Sequence, residues 1–136
     1  MADIVSPARR SVMMGGIRAK GTKPELTVRG AAHRLGYRFR LHVRGLPGSP
    51  DLVFPRRKLA LFVHGCFWHR HKRCRYSYNP KSNVEFWKGK FKTNVARDRR
   101  VRGELEAMGW RVAIIWECET LDSDRLRDEL KELLDR

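Results

Sequence analysis

The stretch LPGSPDLVFPRRKLALFVHG, residues 46–65, contains two apolar runs separated by a short basic turn. LPGSP has the proline and glycine of a turn, DLVF is a short apolar run, and PRRK reverses the chain. KLALFVHG is a longer and more continuous apolar run, which is typical of a central strand buried on both faces. Two adjacent strands joined by a tight turn predict an antiparallel hairpin.

Patterns before this hairpin predict a helix and a further strand. In PELTVRGAAHRLGY, Pro24 suits the first turn of a helix that follows Thr22 or Lys23, and Gly36 suits its end. Leu26, Ala31 and Leu35 fall near one face of this helix. YRFRLHV, residues 37–43, alternates apolar and basic side chains, as a half-buried strand does.

Patterns after the hairpin complete an α/β domain. A helical stretch covers roughly residues 83–108, RVAIIWE is a buried strand, and an amphipathic helix closes the chain from about Ser123. The predicted order is α–β–β–β–loop–α–β–α, which indicates a small mixed central sheet flanked by helices. We read residues 1–22 as a flexible basic arm and residues 23–136 as one domain.

The charge of the chain predicts a polyanionic partner. Its 136 residues have a net charge of +15 and a pI of about 10.7, and such domains attract nucleic acid. No apolar run is long enough to span a membrane, and the N-terminus lacks the apolar core of a secretory signal. No basic amphipathic helix with an aromatic stripe stands out, so we expect no membrane contact and a cytoplasmic protein.

The segment HGCFWHRHKRC, residues 64–74, has the composition of a zinc site. Zinc prefers four cysteine and histidine ligands, and an odd number of cysteines in a reducing compartment argues against disulfides. His64 and His69 compete for the histidine position, and Cys118 could instead be a buried thiol with the histidines solvated or bound to phosphate. The candidate ligands are Cys66, His71, Cys74 and Cys118.

A second group of residues suggests phosphodiester hydrolysis. Asp51 opens the first hairpin strand, where a carboxylate could bind magnesium, and His64, His69 and Asp98 could handle protons beside it. A histidine can act as a general base near neutral pH, and a carboxylate can hold its tautomer. The structural alternatives are that Asp51 only forms a turn and that Asp98 pairs with Arg102 on a helix surface.

Aromatic residues in the same basic segment suggest contact with bases. Phe67 and Trp68 lie among arginines and lysines, and such rings can wedge between base pairs or stack on them. The alternative is that they form a small satellite core under the loop. Trp87 fits the core and the DNA surface equally well.

Five blocks, which span about residues 12–118, resemble the very-short-patch repair (Vsr) endonucleases: KGTKPE, LPGSPDLVF, FVHGCFWHRHKRC, NVARDRR and GWRVAIIWEC. The resemblance implies a restriction-endonuclease-like fold of the PD-(D/E)XK superfamily with a structural zinc. It also implies a magnesium-dependent nickase that cuts 5′ to the thymine of a T·G mismatch, the product of 5-methylcytosine deamination, in a specific sequence context. The functional partner would be a cytosine-5 DNA methyltransferase.

The resemblance also implies roles for individual residues. Asp51 and the backbone carbonyl of Val63 would hold magnesium, and His69 would be the general base, oriented by Asp98. His64 and Glu25 would lie near the scissile phosphate. The zinc ligands would be Cys66, His71, Cys74 and Cys118, the intercalating residues Met14, Phe67 and Trp68, and the contact near the mismatch Trp87.

The chain departs from the family pattern at three places. Val63 stands where other members have threonine, which suits a role for its carbonyl rather than its side chain. The spacing from His71 to Cys74 is one residue longer than in some members, and Gly15-Gly16 replaces an often polar position in the arm.

Three functions fit these observations. The first is initiation of very-short-patch repair by a monomeric, nucleoid-associated mismatch nickase. The second is a sequence-specific nicking or restriction endonuclease of the same fold that acts on undamaged duplex DNA. The third is a zinc-stabilised DNA-binding module without catalysis, which would leave Asp51 and His69 without a role.

Overall fold

The computed structural model describes residues 22–135, so most of the predicted basic arm, including Met14, lies outside the described residues. The helices are α1 (Lys23–Arg34), α2 (Val84–Ala107) and α3 (Ser123–Leu134), and the strands are β1 (Leu52–Phe54), β2 (Leu59–His64) and β3 (Arg111–Trp116). Short 3-10 helices occupy Pro55–Arg57 and Glu117–Leu121.

The three strands form one mixed sheet in the order β1-β2-β3. β1 pairs antiparallel with β2, which confirms the predicted hairpin, and β2 pairs parallel with β3. A parallel pair needs a crossover, and here α2 supplies it. The residues before β1 and those after β2 and β3 therefore meet at one edge of the sheet.

Helices cover both faces of the sheet, which explains the continuous apolar run of β2. Leu59 and Leu61 point to one face and Ala60 and Phe62 to the other. On the first face the core consists of Val28, Ala31, Ala32, Leu52, Phe54, Leu59, Leu61, Ala113, Ile115, Leu126, Leu130 and Leu134. On the second face Val101 and Leu105 of α2 pack against Ala60 and Phe62. The result is a three-layer α/β/α domain.

The strand predicted for residues 37–43 is wrong. Only Arg40 pairs with β1, through two hydrogen bonds with Val53 at 2.8 and 2.9 Å. His42 has a positive φ of 55°, which ends any extended run. The alternating apolar residues Tyr37 and Phe39 still pack against the core, so the pattern reports burial without a strand. The observed order is α–β–β–α–β–α.

The start of α1 confirms one prediction and corrects another. Thr22 caps the helix, since its hydroxyl accepts a hydrogen bond from the backbone N–H of Glu25 at 3.3 Å, and Pro24 lies in the first turn. Leu26 was expected on the buried face, but it is 51% exposed. Glu25 is buried in its place, because this side of the helix faces the polar edge of the sheet.

Within residues 22–135, no helix is both long and apolar enough to cross a membrane.

Candidate active site and metal centre

A cleft of about 680 Å³ opens at the edge of the sheet where β1 begins and β2 and β3 end. Its walls include α1, the loop before β1, the loop after β2 and α2. All of the catalytic and magnesium-binding residues proposed from the sequence line this cleft: Glu25, Asp51, Val63, His64, His69 and Asp98. Residues that are far apart in the chain are therefore brought into one site.

Asp51 is held at the base of the cleft by the hairpin. Its backbone N–H donates to Leu61 at 3.0 Å, and its Oδ2 accepts from the backbone N–H of Val63 at 2.7 Å. Burial, together with the neighbouring Glu25 carboxyl, raises the pKa of Asp51 to about 7, although the hydrogen bond from the Val63 N–H opposes the rise. Arg29 forms an ion pair with Glu25 one turn along α1.

Two carboxyl groups that are close together and poorly hydrated are a suitable site for a hard cation. Glu25 is only 2% exposed, and its carboxyl group lies beside that of Asp51, whose pKa it raises. A divalent ion would offset the repulsion between the two ionised groups, so the donor set at this point fits magnesium.

His69 and Asp98 form the second part of the cleft. The Nδ1 atom of His69 lies 2.6 Å from Oδ2 of Asp98, which leaves Nε2 of His69 as the nitrogen available for proton transfer. The alternative pairing of Asp98 with Arg102 is not observed, because Arg102 lies 3.6 Å from Glu106 instead. The alternative expectation for Asp98, an exposed ion pair on the helix surface, is therefore wrong, because Asp98 binds His69.

The ring of His64 stacks on the ring of His69, with centroids 3.8 Å apart and an interplanar angle of 9°. Burial, and then the neighbouring His69, lowers the pKa of His64 to about 4. Its Nδ1 is buried and has no hydrogen-bond partner among residues 22–135. His64 is therefore neutral at physiological pH, and its ring forms part of the cleft wall.

One face of α2 contributes three residues to the lining of the cleft. Asn94, Asp98 and Val101 recur at helical spacing. Asn94 donates to the carbonyl of Trp68 at 3.1 Å, and Asp98 binds His69 as described. Asn94 was missed from the sequence, although its position four residues before Asp98 places it on the same helix face.

The predicted zinc ligands Cys66, His71, Cys74 and Cys118 come together beside the cleft, with donor atoms within 4.8 Å of one another. His71 Nδ1 lies 3.6 Å from Cys66 Sγ and 3.5 Å from Cys118 Sγ. Tetrahedral zinc, with bonds of about 2.3 Å to sulfur and about 2.0–2.1 Å to nitrogen, separates such atoms by ~3.6 Å. The donor set therefore fits zinc, and His64 and His69 belong to the other cluster.

The sheet register explains why Cys118 joins a cluster 44 positions before it in the chain. His64 pairs with Trp116, and Cys66 and Cys118 each follow two residues later. Burial raises the pKa of the Cys66 thiol to about 12, so a bound cation is needed to hold it as a thiolate. Trp116 stacks on His71 at 4.2 Å and fixes its ring, a role that the sequence did not suggest.

Phe67 lies at the centre of an aromatic cluster between the loop and α2. Its ring centroid is 4.9–5.3 Å from those of Trp68, Tyr78, Trp87 and Phe91. Phe67 and Trp68 are half-buried and also line the cleft. In the free protein these rings thus form the satellite core that was the alternative interpretation, at a position next to the catalytic candidates.

The three-layer domain with its mixed sheet has the restriction-endonuclease-like, PD-(D/E)XK architecture. It is similar to the catalytic domain of the homing endonuclease I-Bth0305I, with a TM-score of 0.54 and 23% sequence identity. The match covers 83% of this chain and 94% of that domain. The fold predicted from the resemblance is confirmed.

Sequence comparison gives the family. The family described as DNA mismatch endonuclease Vsr matches residues 2–75. The chain is 51% identical to the Type II nicking enzyme V.XorIIP of Xanthomonas oryzae pv. oryzae, over 99% of this chain and 98% of that protein. It is 40% identical to the DNA mismatch endonuclease Vsr of Escherichia coli, over 95% of this chain and 82% of that protein. The chain belongs to the Vsr family, and it is a DNA-nicking endonuclease.

Proposed function

We propose that this endonuclease nicks one strand of duplex DNA 5′ to the thymine of a T·G mismatch, in a specific sequence context, and so initiates very-short-patch repair. The observation that carries the proposal is the convergence of Asp51, the His69–Asp98 pair and the Phe67–Trp68 pair on one cleft. The first two supply hydrolytic chemistry, and the aromatic pair supplies a means of probing base stacking.

Asp51 and the backbone carbonyl of Val63 are the groups that would hold magnesium. The bound ion would lower the pKa of a water molecule and neutralise charge on the phosphate. The hairpin holds the two groups side by side, because the Asp51 carboxylate accepts a hydrogen bond from the backbone N–H of Val63. Glu25 packs beside Asp51 and would lie near the scissile phosphate and the bound ion.

His69 would take the proton from the attacking water at Nε2. Asp98 holds the Nδ1 proton in place and stabilises the charge that the ring acquires. His64, held neutral by burial, would form a hydrogen bond with the phosphate. Its stacking on His69 also limits rotation of the catalytic ring.

The cleft and its surroundings suit a DNA duplex. Lys90, Arg97 and Arg102 of α2 line the cleft and would contact phosphates. Phe67 and Trp68 would insert at the lesion and Trp87 would contact the mismatch region, while Met14 would reach the DNA from the arm. Unstacking a base step costs about a few kcal/mol and less at a mismatch, which favours opening of a T·G site over a T·A site.

A nicking assay on a T·G duplex and its T·A counterpart tests the proposal. We expect magnesium-dependent cleavage of the T·G duplex alone. Asp51→Ala should abolish nicking while DNA binding survives. Asp128→Ala, which removes an exposed carboxylate on α3, serves as the matched control and should leave the rate unchanged. Cleavage by Asp51→Ala at the rate of the unaltered protein would contradict the assigned role.

Nicking of undamaged duplex DNA is the second candidate function, and the observation that favours it is the name of the 51% identical relative, a Type II nicking enzyme. The same assay separates the two, since this function predicts equal rates on T·G and T·A duplexes.

The mismatch proposal has further parts. Zinc at the cysteine–histidine cluster would have a structural role. A cytosine-5 methyltransferase would generate the sites at risk. The enzyme would act as a monomer on the nucleoid in the cytoplasm.

A further inference from the structure

One side chain in the loop after β2 has more hydrogen-bond partners than its neighbours. The Arg70 guanidinium donates to the Asn79 Oδ1 at 2.7 Å and to the carbonyls of Tyr78 and Ser77 at 3.0 and 3.3 Å. It also reaches the Phe67 carbonyl at 3.4 Å. Arg70 thus joins the turn that carries the aromatic pair to the far end of the same loop.

The same guanidinium also joins the loop to α2. It lies 4.0 Å from the ring centroid of Phe91 and 5.8 Å from that of Phe67. A planar guanidinium can stack on a ring and donate several hydrogen bonds in its own plane at once, which a lysine ammonium cannot do. Arg70 therefore fixes three segments relative to one another, and the aromatic cluster lies where they meet.

The proposed zinc ligands do not hold residues 77–79 in place. Cys66, His71 and Cys74 tie the first half of the loop to β3, but Ser77, Tyr78 and Asn79 lie beyond them. Asn94 holds the carbonyl of Trp68 from α2, and Arg70 holds the carbonyl of Phe67 from the loop. The backbone of both aromatic residues is therefore pinned, each carbonyl by a different side chain.

We propose that Arg70 is a positioning residue for mismatch discrimination, which holds Phe67 and Trp68 in the arrangement that probes base stacking at the lesion. This inference rests on the proposed function of the site. It differs from a simple electrostatic role, because a basic residue that only contacts phosphate strengthens binding to all sequences alike.

Arg73 offers a matched control. It is the same residue type in the same loop, with a φ of 55° against 56° for Arg70. Its side chain is exposed and has no hydrogen bond or ion pair to any residue from 22 to 135. Arg73→Ala therefore removes the same charge, from the same backbone conformation, without removing the contacts.

The experiment compares full-length, zinc-loaded Arg70→Ala, Arg70→Lys and Arg73→Ala with the unaltered protein. Affinity for T·G and T·A duplexes of one sequence is measured over a series of salt concentrations, together with the near-ultraviolet circular dichroism of the aromatic residues. We expect both Arg70 variants to lose ~10-fold or more of the T·G preference. Affinity for the T·A duplex should fall no further than in Arg73→Ala, and all variants should keep their zinc.

Two results would overturn the inference. One is a full T·G preference in Arg70→Ala. The other is an equal loss of affinity for both duplexes that Arg70→Lys restores, which marks a phosphate contact. If the unaltered protein shows no T·G preference, the proposed function fails and the spectrum decides about Arg70. A weakened aromatic signal in Arg70→Ala but not in Arg73→Ala then supports its positioning role, and an unchanged signal refutes it.

Discussion

Replacement of Gly48 by alanine should destabilise the domain and disturb the active site together. Gly48 lies in the loop that leads to Asp51 and has a φ of +73°. Residues other than glycine rarely adopt this backbone conformation. A Cβ atom built there would lie 2.3 Å from Cγ1 and 3.0 Å from Cγ2 of Val101 on α2. The loop and the helix that carry the two carboxylates, Asp51 and Asp98, thus meet at this glycine.

The magnitude follows from two contributions. The left-handed conformation costs an alanine about 1–2 kcal/mol, and an overpacked contact costs about 1–3 kcal/mol. Together they amount to about 2–5 kcal/mol of the free energy of unfolding. For a domain of this size, about 4 °C per kcal/mol corresponds to a fall in Tm of roughly 8–20 °C.

A double-mutant cycle separates the contributions. Val101→Ala removes the methyl groups that the new Cβ would meet, at a cost of about 1–2 kcal/mol on its own. Gly48→Ala with Val101→Ala should therefore be about 1–3 kcal/mol more stable than the sum of the single changes. Gly103→Ala is the control: no neighbour lies within 4 Å of its Cβ position in α2, so it should stabilise by about 0.5–1 kcal/mol.

Urea unfolding of the zinc-loaded protein, followed by tryptophan fluorescence, measures these changes. The m-value should stay constant, so that a shift in midpoint reports stability alone. Nicking well below Tm should fall in Gly48→Ala and recover in part in the double variant. A Gly48→Ala protein within about 0.5 kcal/mol of the unaltered one, or a cycle without coupling, would refute the close approach of loop and helix.

Three further predictions concern the site itself. Asp98→Asn should lower the nicking rate about 10²–10⁴-fold without loss of DNA affinity, because His69 loses the carboxylate that orients it, and single-turnover kinetics with binding titrations check both quantities. Removal of zinc by a chelator, or Cys118→Ser, should unfold the loop after β2 and lower Tm, as metal analysis and calorimetry would show. Because burial raises the pKa of Asp51 from 3.8 to about 7, the folded protein binds this proton more tightly than the unfolded chain does. In the magnesium-free, zinc-loaded protein the stability that Asp51 contributes, up to about 4 kcal/mol, should therefore be lost as pH rises from about 4 to about 7. Burial lowers the pKa of His64 to about 4, which acts in the opposite sense over this range, and burial raises the pKa of Glu129 to about 7, which acts in the same sense. The difference between the unaltered protein and Asp51→Asn in urea unfolding at several pH values therefore isolates Asp51, and Asp51→Asn should change the slope. A slope of unchanged size in Asp51→Asn would assign it to another group.

Elements with an apolar pattern along their whole length could be predicted from the sequence. The run in β2 and the spacing of Leu126, Leu130 and Leu134 in α3 both appear in the structure as expected. Residues 37–43 have an equally good strand pattern, but a strand also needs a partner. β1 is three residues long and only Val53 is available to pair with Arg40, so the alternation produced a packed loop instead.

Some of the site residues could also be predicted from the sequence, and others could not. The short spacing of Cys66, His71 and Cys74 limits the metal ligands to a small set, and Asp51 follows from its place before β1. The stacking of His64 on His69 and the contacts of Arg70 depend on the path of an irregular loop, and no local pattern encodes that path. The roles of Asn94 and Trp116 could not be predicted from the sequence either, because their partners, Trp68 and His71, lie 26 and 45 positions away.

The shared face of α2 restricts how this enzyme can change over evolution or in the laboratory. Asn94, Asp98 and Val101 are spaced along α2 so that they meet the carbonyl of Trp68, the imidazole of His69 and the loop at Gly48, respectively. An insertion or deletion of one residue within this segment would rotate the following part by about 100° and break at least one of the three contacts. New substrate preferences should therefore arise through substitutions on the outward side of the helix and in the loops, and changes of length should be excluded from residues 94–101.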